Sequence, residues 1–185
     1  MMDKEFYIKH GLIYGVVTIT YLMITYIMGI GAMVSGWNSA IQFAMAIGLF
    51  VFIGIEARKL SGGFINFGEA FKAIFLSFAL GSFLFLLFNF VLNTVIDPSL
   101  PGQLFEEGVK SAISVMENFG MDEDTVEKTY DQMMESKDKV YDSFTLSGFL
   151  LSYVYTLAIG AIGIAISALI VKKKDPNPFS EVENS

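Results

Sequence analysis

Ala73 to Ile96 reads AIFLSFALGSFLFLLFNFVLNTVI, without one charged residue. A hydrocarbon core of about 30 Å needs roughly 20 apolar residues in a helix, and this run is long enough to cross it. Three other runs have the same character. Gly11 to Val34 and Trp37 to Ile55 precede it, and Phe144 to Val171 follows, ending at once in Lys172, Lys173 and Lys174. A chain of 185 residues has no room to bury four such helices in a water-soluble core. The expected fold class is therefore an all-α membrane protein, a bundle of four transmembrane helices at 11–34, 37–55, 73–96 and 144–171 in a single membrane domain. The first run is longer than a signal-peptide core and is expected to be retained.

Composition agrees. The apolar fraction is 54% and Phe occurs 18 times, with a mean hydropathy of +0.56. The absence of Cys excludes disulfides and thiolate chemistry. A single His, His10, leaves little for zinc sites or catalytic triads. No metalloprotease, nucleophile-elbow or phosphate-loop motif is present, so neither an enzymatic activity nor a cofactor is expected. The basic and aromatic interleaving of nucleic-acid grooves is also missing, so no nucleic-acid partner is expected.

Charge orients the spans. Lys4, Lys9, Arg58, Lys59, Lys72 and Lys172 to Lys174 fall on one side, eight of the 12 basic residues. Seven acidic residues share that side, leaving +1. Twelve acidic and four basic residues on the other side leave −8, which together make the net −7. Basic residues flanking spans stay cytoplasmic. The expectation is an inner-membrane protein with cytoplasmic N and C termini and a cytoplasmic tail over 172–185. Membrane lipid is its first partner.

The connection over 97–143 is then exterior and acidic. Its apolar residues recur at helical spacing, Leu104, Phe105, Val109, Ala112, Ile113, Met116 and Phe119, until Gly120 interrupts. A second helix is expected with Asp124 and Glu127 at its start in the manner of a capping box. It continues through Val126, Tyr130, Met133, Met134, Val140 and Tyr141. The pair predicts an amphipathic extracytoplasmic hairpin that covers the outer ends of the spans. It is also the expected place for a protein partner or self-association. The acidic cluster Asp122–Asp124 lacks the spacing of a calcium loop, so no metal is assigned to it.

Within the spans two kinds of residue stand out. Gly11, Tyr14, Thr18, Tyr21, Thr25, Gly29 and Ala32 share one face of the first span; Ala158, Ala161, Ala165 and Ala168 share one face of the fourth. Small residues allow close helix approach and hydroxyls hydrogen-bond across it, so both stripes are expected at helix contacts. Asn38, Gln42, Ser82, Asn89 and Asn93 form a candidate polar cluster within the membrane. No ionisable residue lies deep in a span, which argues against a proton-coupled pump. The loop Glu56 to Lys72 reads as an in-plane interfacial turn into the third span.

The segment GGFINFGEAFKAIF (62–75), the IDP after the third span (96–98), the long acidic insert before the last span and the opening KHGLIYG (9–15) together resemble domain-of-unknown-function family 4199. That is a family of small four-helix bacterial membrane proteins found mainly in Bacteroidota. The resemblance implies an inner-membrane location and carries no assigned activity. The functional expectation is a non-enzymatic interaction or accessory subunit, with a small oligomeric transporter or channel component as the alternative.

Overall fold

The computed structural model describes residues 2–142 and 144–174; the Asp138 and Tyr141 side chains and tail residues 175–185 lie outside that description. Four long apolar helices form the bundle. They are α1 (Lys4–Met28), α3 (Gly36–Leu60), α4 (Phe67–Val91) and α8 (Leu146–Val171), each long and apolar enough to cross a membrane. The short α2 (Ile30–Val34) follows α1. Between α4 and α8 run α5 (Leu100–Asn118), α6 (Glu123–Glu135) and α7 (Lys137–Asp142).

Several boundaries differ from those read in the sequence. The first span begins at Lys4, and it breaks at Gly29 instead of running to Val34. Gly29 has φ 100°, a conformation that side chains with a Cβ rarely adopt, so the helix axis changes there. The second span continues to Leu60. The expected in-plane turn does not exist beyond Asn66, because Asn66 and Glu69 close a capping box. The Asn66 side chain accepts the Glu69 N–H at 2.9 Å, and Glu69 accepts the Asn66 N–H at 3.4 Å. With two orphan amides satisfied, Phe67 to Lys72 become the first turns of α4.

The α4 helix is the hub, packing against α1, α3 and α8, while α3 also packs on α8. Glycines set the α1–α4 distance. A Cβ placed on Gly81 would lie 2.6 Å from the Gly11 carbonyl oxygen and 2.8 Å from the Tyr14 Cβ. One placed on Gly11 would lie 2.9 Å from Leu80. The first-span stripe is thus a true contact face. Its threonine hydroxyls, however, do not cross it. Thr18 donates to Tyr14 and Gly15 carbonyls, and Thr25 to those of Tyr21 and Leu22, all within α1.

The fourth-span stripe needs correction. Ala168 is buried, but Ala158 is exposed and Ala161 and Ala165 are only half-buried. The seated face is instead Leu157, Gly160, Ile164, Ser167, Ala168 and Val171. The Phe78 ring lies so close to Gly160 that any Cβ there would overlap it. Shape selects this face: where both sides of a helix are apolar, a bulky ring in the neighbour seeks the glycine, not the alanines.

The middle of the core is aromatic. Phe78 meets Phe50 and Tyr14 edge-on, with centroids at 5.2 and 5.4 Å, while Tyr14 stacks on Phe50 at 5.9 Å. At one end of the bundle, Ile65 and Lys173 exchange backbone hydrogen bonds of 3.0 and 2.9 Å, and Arg58 Nη1 donates to the Val171 carbonyl at 3.1 Å. These contacts hold the α3–α4 turn to the end of α8. Met2 and Tyr7 lie at the same end, lining a small cleft with Ser61, Glu69 and Lys72.

The opposite end carries α2 and the connecting helices. Here the expected hairpin is three helices, because the second breaks at Ser136, where the backbone N–H and side chain of Ser136 both return to the Met133 carbonyl. Gly120, at φ 70°, ends α5. The cap of α6 is Asp122, whose carboxylate takes the Thr125 hydroxyl at 2.8 Å and the Thr125 N–H at 2.9 Å, not Asp124 with Glu127. Those bonds favour the ionised form and hold the Asp122 carboxyl below its ordinary range. Nor is the connection a full cover. α5 seats against α2 and buries Leu100, Pro101 and Val109, whereas α6 packs on α5 and α7 and buries none of its residues. Phe119, Met121, Tyr130 and Met134 remain exposed.

Candidate polar cavity between the spans

The five polar residues expected as one cluster separate into three places. Asn38 is a structural tie. Its Oδ1 accepts the Tyr21 hydroxyl at 2.7 Å and its Nδ2 donates to the Met33 carbonyl at 2.6 Å. One side chain therefore joins α1, α2 and α3 around the break at Gly29. A buried amide satisfied on both sides has little left to offer a ligand.

Asn89 and Asn93 occupy the end of α4, where the chain widens into a π turn over Leu92–Ile96. Asn93 Nδ2 donates to the Asn89 carbonyl at 2.7 Å and to Asn89 Oδ1 at 3.1 Å. Asn93 is only 4% exposed, and its Oδ1 has no donor among the described residues. The turn is pinned by Asp97, which accepts the Ser99 hydroxyl at 2.6 Å and the Tyr26 hydroxyl at 3.1 Å. The Ser99 bond first, then that of Tyr26, holds the Asp97 carboxyl below its ordinary range. Because the Asn93 oxygen is unsatisfied, Asn93→Leu should be close to neutral: intramembrane hydrogen bonds average about 0.6 kcal/mol, and the orphan's desolvation cost disappears with it. Detergent melting checks this; a loss as large as that of a core truncation would refute it.

Gln42 and Ser82 face a central cavity of about 160 Å³. All four spans wall it: Tyr14, Thr18, Tyr21 and Leu22 from α1; Gln42, Met45 and Ala46 from α3; Phe78, Ser82 and Phe85 from α4; Thr156 from α8. Sequence reasoning missed Thr156, one of several scattered hydroxyls in α8, and placed Tyr14 only on a packing stripe. Both are now the informative groups. The hydroxyls of Thr18, Tyr21 and Ser82 are committed to helix carbonyls or to Asn38. Those of Tyr14 and Thr156, and the Gln42 amide, have no protein partner among the described residues.

An apolar groove of about 450 Å³ adjoins the cavity between α3 and α8. Tyr14, Ala46, Phe78 and Thr156 belong to both walls; Phe43, Ile47, Phe50, Ile159 and Gly163 complete the groove. Neither space is lined by an ionisable Asp, Glu, Lys, Arg or His. His10 is buried elsewhere, at the end of α1 near the chain's start, with Nδ1 2.8 Å from the Phe6 carbonyl. Among the described residues no acidic or His side chains gather closely enough to hold a metal.

A hub helix, three flanking spans and an amphipathic connection define a multi-pass α-helical membrane protein. The chain belongs to the family described as "Protein of unknown function (DUF4199)", whose profile matches residues 9–173. No curated protein and no solved structure matches the chain.

Proposed function

We propose that the protein is a non-enzymatic accessory subunit of the bacterial inner membrane, with α5–α7 on the extracytoplasmic side as its docking surface for another protein. The observation that carries this is the uncovered apolar face. Phe119 is 80% exposed, and Met121, Tyr130 and Met134 are exposed with it. They sit in a connection bearing twelve acidic and four basic residues. Large apolar side chains outside the spans seek an apolar partner, and the surrounding charge selects one rimmed by Lys and Arg. The same charge repels anionic lipid headgroups and a second copy of this face. The eight basic residues around the other end support cytoplasmic termini. A transport path through one copy is the weaker reading, because the Tyr14–Phe50–Phe78 cluster fills the bundle centre.

A photo-crosslinking amino acid at Phe119 tests the reading in intact cells. The expected product is a heterologous adduct whose partner presents a basic, apolar surface, weakened by Tyr130→Asp and by high salt. Only self-adducts, or none, would overturn it. Reporter fusions at Ser61 and Met121 should read inside and outside, and the reverse would refute the orientation.

A further inference from the structure

The cavity and the groove share Tyr14, Ala46, Phe78 and Thr156 in their walls, yet they differ in chemistry. The groove offers rings and branched aliphatic side chains, and between α3 and α8 it faces the lipid. The cavity behind it is lined by three polar groups that have no protein partner among the described residues: the hydroxyl of the buried Tyr14, the hydroxyl of the half-buried Thr156 and the amide of Gln42, a residue exposed at the bundle surface. Tyr14 is 7% exposed, so its hydroxyl meets the cavity and not bulk solvent. Unpaired polar groups at membrane depth are costly, and proteins seldom keep them without an occupant.

We propose that this feature binds a neutral long-chain lipid whose polar end is a hydroxyl or carbonyl, with its chain in the α3–α8 groove and its polar end in the central cavity. Charge decides the class. A phosphate or carboxylate headgroup requires cationic donors, and neither space has a Lys, Arg or His in its wall. A hydroxyl or carbonyl needs only neutral donors and acceptors, which Tyr14, Thr156 and Gln42 supply. Access is lateral, through the side of the groove between α3 and α8, and Phe78 and Tyr14 line the junction. Water alone is the competing occupant, since the cavity is roomy enough for it.

The test uses the purified full chain in nanodiscs, free of any partner, so it is independent of the docking reading. A diazirine-bearing hexadecanol is photolysed with the protein, and the labelled peptides are mapped by mass spectrometry. Label should concentrate on Phe43–Phe50 and Tyr155–Ile166. Excess hexadecanol should compete it away, and excess hexadecyl phosphate should not. Thr156→Val combined with Gln42→Leu should weaken competition about tenfold, the effect of losing two intramembrane hydrogen bonds. Tyr14→Phe provides a second, more conservative variant, and melting of each variant confirms folding. Label spread over the lipid-facing surface near Val16 and Ile27, equal competition by the phosphate, or indifference to all three substitutions would overturn the proposal in favour of a water-filled void.

Discussion

Gly81→Leu is expected to destroy the α1–α4 contact and, with it, most of the folded protein. The nearest atoms to a side chain at this position include the Gly11 carbonyl oxygen, 2.6 Å from the Cβ, and a backbone atom cannot swing aside. The helices would have to separate along their most extensive interface. Overpacking in cores costs roughly 1–3 kcal/mol and sometimes more, and an obstruction by backbone places this variant at the upper end. Gly48→Leu is the matched control, because nothing lies within 4 Å of its Cβ. Unfolding by graded SDS in mixed micelles should show a large loss for Gly81→Leu and almost none for Gly48→Leu. Equal midpoints would mean that α1 does not pack on α4 in this way.

Phe78→Ala should cost about 3–5 kcal/mol, the range for deleting a buried aromatic ring. Phe78 is nearly fully buried, touches Tyr14 and Phe50 edge-on, and lies against Gly160. Its removal leaves a void at the junction whose walls the cavity and the groove share. Phe83→Ala, at a ring that is partly lipid-exposed, should cost much less. The same geometry gives a sharper expectation. Gly160→Ala should be harmful alone, where its methyl meets the Phe78 ring, yet tolerated in the Phe78→Ala background. A double-mutant cycle on these two positions should therefore show strong coupling. Strict additivity would show that the ring and the glycine do not meet.

The four spans were readable because apolar length is a one-dimensional signal that survives without any knowledge of neighbours. Which face of each span packs was readable only in part. On α1, Gly11 and Tyr14 stand out from their apolar surroundings, and the stripe they begin does lie on α4. On α8, Ala158 and Ile164 are both compatible with lipid and with a core, so composition could not choose between them. The choice came from Phe78 on another helix. The polar cluster failed for a related reason. Asn38 is consumed by a chain break at Gly29 that no hydropathy window reveals, and Asn93 turns back on Asn89 within its own helix. Thr156 was invisible because nothing in sequence sets it apart from Ser152, Tyr153 and Tyr155 beside it; it matters only beside Tyr14 and Gln42. In the acidic connection the periodicity predicted helices where helices occur, but helical spacing alone marks an apolar face without saying what covers it, and α6 leaves Tyr130 and Met134 bare.

The clasp between the α3–α4 turn and the end of α8 has a bearing on biogenesis. Arg58 and Val171 are 113 positions apart, and Ile65 must wait almost as long for Lys173. During synthesis, α1, α3 and α4 are therefore complete while the Arg58 guanidinium still lacks that carbonyl and Ile65 lacks its strand-like partner. Gly54 and Ile74, which flank Val171 in the finished protein, would meanwhile face lipid. The last helix thus latches the bundle as well as enlarging it. Translation order therefore leaves a three-span chain with an unsealed seam, and arrival of the final helix closes it.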